Sequence, residues 1–315
     1  MRKIVLGLAA VALAATMGTA FAQDKKTIGV SIPAADHGWT AGVVYHAERV
    51  AKKLMEQYPN LNVVVKTSPD PASQANAVQD LETQGIDALV ILPTDPDPLV
   101  SAIKEVKDKG KFVALVDRAP SSNDDSVRDL YVAGNNPALG EVAGKYIAAT
   151  TPEAEVVIVR GLPIPIDQQR QDGFDKGIAG SKVKVLDRQF GNWNRDDAFK
   201  VMQDYLTKYP KIDVVWAQDD DMVVGILEAI EQAKRTDIQY VIGGAGSKDM
   251  IKKVLDGDKM VPVDVLYPPA MVATALELTA AGLMDQVPVS GTYILDATLV
   301  TKDNAASFHF PDSPF

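Results

Sequence analysis

The chain has 315 residues, no cysteine, and 42 acidic against 32 basic side chains, a formal net charge of −10. Without cysteine there are no disulfides, no thiolate metal sites and no cysteine nucleophile, and the acidic balance disfavours nucleic acid and anionic lipid as partners. A chain this long buries a large core without disulfides, and its length suggests about two domains.

The first element is a leader. Arg2 and Lys3 precede the apolar run Ile4–Gly18, and Ala20-Phe21-Ala22 has the small-x-small form of a cleavage site. This is the pattern of a secretory signal peptide over residues 1–22, too short and wrongly flanked for a spanning helix. A retained lipid anchor would need a cysteine. Cleavage after Ala22 leaves a mature chain from Gln23 with 30 basic and 42 acidic residues, a net charge of −12. No later apolar run is long enough to span a bilayer.

From there apolar, β-rich runs alternate with amphipathic helical stretches. Thr27–Ile32 reads as a strand, and Ala41–Gln57 carries Val43, Val44, Ala47, Val50, Ala51 and Leu54 at helical spacing. A strand over Leu61–Thr67 precedes a helix over Pro71–Thr83. Ala88–Leu92 is continuously apolar, as a strand buried on both faces of a parallel sheet must be. A helix over Asp97–Lys109 and a strand over Phe112–Val116 follow. Further strands are predicted over Asp129–Ala133, Glu155–Arg160, Lys184–Gln189, Val214–Ala217 and Tyr240–Gly243. The helices between them are predicted over Ala138–Ala149, Arg170–Gly177, Arg195–Lys208, Met222–Ala233 and Lys248–Leu255. Repeated βα units imply parallel sheets covered on both faces, and one sheet of so many strands would be unusually large, so two α/β domains are expected.

Ligands of open α/β sheets sit beyond the carboxyl ends of the strands, and those ends are loaded. Asp36-His37-Gly38-Trp39, Pro93-Thr94-Asp95 and Asp117-Arg118 follow the first, third and fourth strands. Gly161–Arg170, Phe190–Asn194, Gln218–Asp221 and Gly243–Gly246 follow later ones. Trp39 and Trp193, one in each half, stand among Asp, Asn and Arg. Flat aromatic faces cover the C–H patches of a sugar, while carboxylates and guanidinium groups take its hydroxyls in charge-assisted bonds. Singly, each Trp reads as an ordinary core residue and Asp117-Arg118 as a structural ion pair; their joint placement at strand ends favours a site.

These segments resemble, in order, a periplasmic sugar-binding protein of the ribose-binding type, the solute receptor of an ABC importer. The markers are Val30-Ser31 with Asp36-His37-Gly38-Trp39, Leu92-Pro93-Thr94-Asp95, Val116-Asp117-Arg118, Gln169-Arg170-Gln171-Asp172-Gly173-Phe174, Trp216–Met222 and Val241-Ile242-Gly243. The resemblance implies the type I periplasmic binding fold: two doubly wound parallel-sheet domains joined by a three-strand hinge. It implies a first domain of 23–134 plus 267–296 and a second of 135–266 plus 297–315. The ligand-binding residues it implies are His37, Trp39, Asp117, Arg118, Arg170, Trp193 and Asp219, with no cofactor and no metal. Two positions depart from the family pattern. Gly243-Gly244-Ala245-Gly246 lacks the aspartate expected in that turn, and the hinge glutamine falls near Leu266, which leaves Asp264 as a candidate substitute. His37 stands where the ribose binder has an asparagine. A different pentose, a deoxy-sugar or a sugar alcohol is therefore expected rather than ribose. The implied setting is the periplasm, with a membrane ABC permease as partner, no nucleic acid, and a monomeric receptor.

Three rival readings share some of these features. A secreted metal-dependent enzyme could use Asp219-Asp220-Asp221 or Asp36-His37, yet consecutive residues at a strand end point in different directions, and Asp220 and Asp221 suit the start of a helix. No nucleophile elbow, phosphate loop or dinucleotide fingerprint occurs. A repressor of the lactose type would carry a DNA-binding headpiece where this chain has a leader. A receptor for a furanosyl autoinducer would share the fold; Asp117-Arg118 favours an ordinary sugar. The C-terminal Phe308-His309-Phe310-Pro311 is expected to pack on the second domain.

Overall fold

The computed structural model describes residues 25–122 and 124–315. The expected leader over residues 1–22 and the terminus expected at Gln23 lie outside the described residues.

Strand β1 (Lys26–Pro33) leads into helix α1 (Gly38–Gln57), then β2 (Leu61–Ser68), α2 (Pro71–Thr83), β3 (Ala88–Ile91), α3 (Pro96–Asp108), β4 (Phe112–Val116), β5 (Leu130–Gly134) and α4 (Asn136–Thr150). A second series follows: β6 (Glu155–Arg160), α5 (Pro165–Ile178), β7 (Lys184–Phe190), α6 (Arg195–Lys208), β8 (Val214–Ala217), α7 (Asp220–Ala233), β9 (Tyr240–Ile242) and α8 (Lys248–Asp256). The chain ends with β10 (Asp264–Val265), α9 (Met271–Met284), β11 (Gly291–Leu295) and β12 (Leu299–Val300).

Helix starts are fixed by local chemistry. Asp70 Oδ1 accepts the Ser73 N–H at 2.8 Å before Pro71 at the first helical position, Asn194 accepts from Asp196 and Asp197, and Asp219 accepts from Asp221. Pro165 likewise starts α5 five residues before the predicted Arg170, because its ring presets the helical φ. Arg170 consequently lies mid-helix, with a full turn before it. Helix α9 had no sequence signal: it is apolar on nearly all sides, so it lacks the polar face that would reveal a helical period.

Six strands form the first sheet in the order β11-β5-β4-β3-β1-β2, and four form the second in the order β7-β6-β8-β9. All pairings within both are parallel, whereas β10 and β12 form a separate antiparallel pair. Chain order reverses between β1 and β3 in the first sheet and between β6 and β8 in the second, which are the switch points where crevices open. One core cluster lies under α2 and α3 on the first sheet, another under α6 to α8 on the second. A third runs continuously from β1, α1 and α9 through Tyr267 and Val265 to α4, Phe174 and Trp216. The C-terminal segment divides between these bodies. Phe308 packs with the second sheet as expected, Phe310 stays 65% exposed, and the terminal Phe315 leaves it to pack on Gly42 of α1.

Candidate ligand-binding site

Between the carboxyl ends of the two sheets lies a cleft with about 280 Å³ of space between its atoms. Its walls are His37, Trp39, Asp117, Arg118, Ile166, Arg170, Trp193, Asp219, Gly244, Ala245 and Tyr267. Seven of the eight side chains expected from the sequence are in that wall. Asp264 is not: it is fully buried on β10, its Oδ1 accepting the Val265 N–H.

The loop after β1 is tied by Thr40, whose hydroxyl oxygen accepts the Asp36 and His37 N–H groups at 3.2 Å and donates to Asp36 Oδ1 at 2.7 Å. His37 Nδ1 also lies 2.6 Å from Asp36 Oδ1. Burial disfavours the Asp36 charge, but the bond and charge of His37 outweigh it and hold this carboxyl at about 2. The loop thereby presents the His37 ring to Trp193 from the other sheet, stacked at 6.4 Å between centroids. Trp39 donates its Nε1–H to the Tyr267 carbonyl at 2.8 Å and packs beside that ring.

At the end of β4 the Asp117 backbone takes φ 62°, outside the range comfortable for a side-chain-bearing residue. The turn sends Arg118 back across β3, where Nη1 donates to the carbonyls of Pro93 at 3.2 Å and Thr94 at 2.7 Å. The Pro93-Thr94 strand end is thus a clamp for the arginine. Its Nε lies 3.6 Å from Asp117 Oδ2 and has no hydrogen-bond partner in the protein, while its guanidinium stands 5.2 Å from the Trp193 ring centre. Arg118 is 4% exposed, and this burial works against its charge while Asp117 supports it.

From the second sheet, Arg170 Nε donates to Asn136 Oδ1 at 2.7 Å and Nη1 to the Gln218 carbonyl at 2.8 Å. Asn136 Nδ2 donates to the Tyr267 hydroxyl at 2.8 Å, and that hydroxyl donates to Asp117 Oδ1. One directed chain of hydrogen bonds therefore joins Arg170 on α5 to Asp117 at the end of β4. Tyr267 and Asn136 are the links sequence reading missed. Tyr267 follows Leu266, near which the hinge glutamine is expected, and its hydroxyl is the polar group that reaches the site. Its guanidinium neighbour Arg170 stands 4.5 Å over its ring.

Trp193 and Asn192 both have left-handed backbone, φ 55° and 57°, which swings the indole inward. Gly161 makes room for it, since a Cβ there would collide with the ring. The Trp193 Nε1–H also lacks a protein partner. Three successive carboxylates after β8 go three ways: Asp219 lines the cleft, Asp220 accepts from Gly244 and Ser247, and Asp221 accepts the Gly38 N–H across the cleft. Burial, with the nearby charges of Asp220 and Asp221 opposed by His37, raises the Asp219 carboxyl to about 7. The site thus combines two guanidinium groups, two carboxylates and two indoles around one cleft, all six side chains being buried. Such a set hydrogen-bonds hydroxyls in fixed directions while covering an apolar face.

A family model described as "Periplasmic binding protein domain" matches residues 28–285. The chain is 32% identical over 305 residues to the ribose import binding protein RbsB of Escherichia coli K12, covering 96% of this chain and 99% of that protein. It is 28% identical to the xylitol-binding protein of Mycolicibacterium smegmatis, over 91% and 80%. A solved solute-binding protein from Mycobacterium smegmatis with bound glycerol superposes with TM-score 0.81 at 26% identity, over 91% of this chain and 98% of that one. A galactofuranose-binding protein superposes with TM-score 0.82 over 92% and 100%, at 24% identity, a likeness of fold alone.

Proposed function

The chain belongs to the periplasmic binding protein family, and on that premise we propose that it captures a small neutral sugar or sugar alcohol between two domains and delivers it to an ABC importer. The proposed domains are 23–134 plus 267–296 and 135–266 plus 297–315, with export to the periplasm. Two facts support that division: β11 joins the first sheet, and β12 returns to pair with β10. The ligand-binding residues of this reading are His37, Trp39, Asp117, Arg118, Arg170, Trp193 and Asp219, with Tyr267 added.

The observation that carries the reading is the convergence of Asp117, Arg118, Arg170, Asp219 and two indoles on one cleft between the sheets, where Arg118 Nε and Trp193 Nε1 are buried without protein partners. A buried donor left unmade costs about 1–3 kcal/mol, so a ligand hydroxyl that reaches either donor is favoured. Charge balance favours a neutral ligand: Arg118 and Arg170 face Asp117 and Asp219. Contacts that exist only when both sheets meet drive closure, because only the closed form gains them.

The test is a thermal-shift screen of the mature protein against pentoses, deoxy-sugars, hexoses, sugar alcohols, a furanosyl signal molecule and metal ions. A ligand at a hundred times its Kd stabilises by about 2.7 kcal/mol, a shift of several degrees. A response to a few related polyols is expected. No response to any polyol, with a response to a metal or to a furanosyl signal molecule, would overturn the reading.

A further inference from the structure

We infer that Asp264, on β10, is a positioning residue that holds the ligand-facing turns Asp219-Asp220 and Gly243–Ala245 in place as a neutral, hydrogen-donating partner of Asp220. The affinity arm of this inference rests on the receptor reading above; the folding arm does not.

Asp220 and Asp264 are both buried, at 1% and 0% exposure, and the charge of Asp220 bears on the Asp264 carboxyl. Both press on Gly243, where a Cβ would collide with Asp220 and stand 3.2 Å from Asp264 Oδ1. The Asp220 oxygens are each already accepting: Oδ1 from the Gly244 N–H at 3.0 Å, Oδ2 from the Ser247 N–H at 2.7 Å. Asp264 Oδ1 accepts the Val265 N–H at 2.8 Å, but its Oδ2 is buried with no donor in reach.

No cation relieves this pair among the described residues. On α8, Lys248 donates to the Ser313 carbonyl, Lys252 pairs with Asp256 and Lys253 with Asp258. On α4, Lys145 pairs with Glu141; on α6, Arg195 faces Asp221; on α5, Arg170 is committed to Asn136 and Gln218. On α7 itself, Asp219 and Asp221 add negative charge, and β12 and the 243–247 turn carry no ionisable side chain. On this side of the cleft the charge of His37 acts on Asp219. Two buried carboxylates packed against one glycine in such a place cannot both ionise. The proton belongs on Asp264, whose Oδ2 then becomes a donor to Asp220, because both Asp220 oxygens are already engaged as acceptors of N–H groups. Burial, reinforced by the charge of Asp220, pushes the Asp264 carboxyl well up from its ordinary value.

The result is a three-way tie between the hinge strand, the turn after β9 and the start of α7. Asp219 and Gly244-Ala245, which line the cleft, are next to its anchor points. Asp264 therefore acts on a ligand through Asp220, not by contact.

The experiment uses the whole mature protein with Asp264→Asn and Asp264→Ala. Urea unfolding without ligand is measured from pH 4 to pH 9, and affinity is measured for whichever polyol the screen identifies. The native state holds a proton that the unfolded chain releases near pH 4. The folding constant of the parent should therefore fall relative to Asp264→Asn by up to about tenfold per pH unit as pH rises above 4, until the folded pair ionises. Asp264→Asn, whose amide keeps both the acceptor and the donor, should bind within a few fold of the parent, and Asp264→Ala at least tenfold worse. Parallel pH curves for the parent and Asp264→Asn overturn the shared proton; unchanged affinity in Asp264→Ala overturns the positioning role. If Asp264→Ala does not fold, the pH curves and the Asp264→Asn affinity decide. If the parent binds no polyol the receptor reading fails, and the pH curves still decide the pair.

Discussion

Arg118 shows how a single residue is committed before a ligand arrives. Two carbonyls of the Pro93-Thr94 strand end hold its Nη1, and the strained φ of Asp117 aims it. Strain of that kind costs about 1–3 kcal/mol and is tolerated where the surroundings over-determine it. Arg118→Ala should weaken polyol binding at least a hundredfold while the far-ultraviolet spectrum and cooperative melting persist, because its partners are carbonyls at the cleft's edge. Affinity within a few fold of the parent, by calorimetry, would remove Arg118 from the site. Asp219 gives the pH dependence. Its folded value of about 7 lies above the ordinary 3.8, so stability tied to this group is fully present below pH 4 and is lost as pH rises towards 7. A ligand hydroxyl that donates to Asp219 favours the ionised form, so affinity has the opposite slope and should fall as pH drops below 7, by up to about tenfold per unit. In Asp219→Asn that slope should vanish; an unchanged slope would place the titration elsewhere.

At the scale of elements, helices α4 and α5 meet backbone to backbone. A Cβ on Gly140 would collide with the Arg170 carbonyl, and one on Gly173 with the carbonyl of Pro137. Gly144 and Gly177 extend the same close approach. This crossing sets the separation between Asn136 and Arg170, and through them the chain to Tyr267 and Asp117. Gly140→Ala should force the helices apart, cost about 1–3 kcal/mol as overpacking does, and reduce affinity although residue 140 never meets the ligand. Chemical denaturation and calorimetry together check this; a variant with parental stability would mean that the crossing is looser than its geometry.

Over the whole molecule, the contacts between the two sheet bodies add up to a closed state. Asp221 accepts the Gly38 N–H at the start of α1, His37 stacks on Trp193, and Phe315 reaches from the end of the chain to Gly42. Of these only the first leaves the cleft wall and the core untouched. Asp221→Ala should therefore lower affinity several-fold by weakening closure, with an unchanged ligand stoichiometry. Small-angle scattering should show a larger radius of gyration for this variant at a half-saturating ligand concentration. Equal radii and equal affinity would show that closure does not depend on this bond.

Much of this was written in the chain. The parallel strands declared themselves as short apolar runs, since a strand buried on both faces has no polar alternative, and the helix starts followed from Asp, Asn and Pro whose local bonds need no tertiary partner. Seven cleft residues were legible because strand ends are where an α/β sheet must bind, whatever its loops do. Tyr267, Asn136 and helix α9 were not legible. Tyr267 and Asn136 act by linking groups 131 and 34 positions apart in sequence, and α9 is apolar on almost every side. Asp264 marks the boundary most clearly: its type and place on the hinge suggested a ligand contact, but a strand's side chains alternate in direction, and only the packed sheets decide which of them meets the cleft and which meets Asp220.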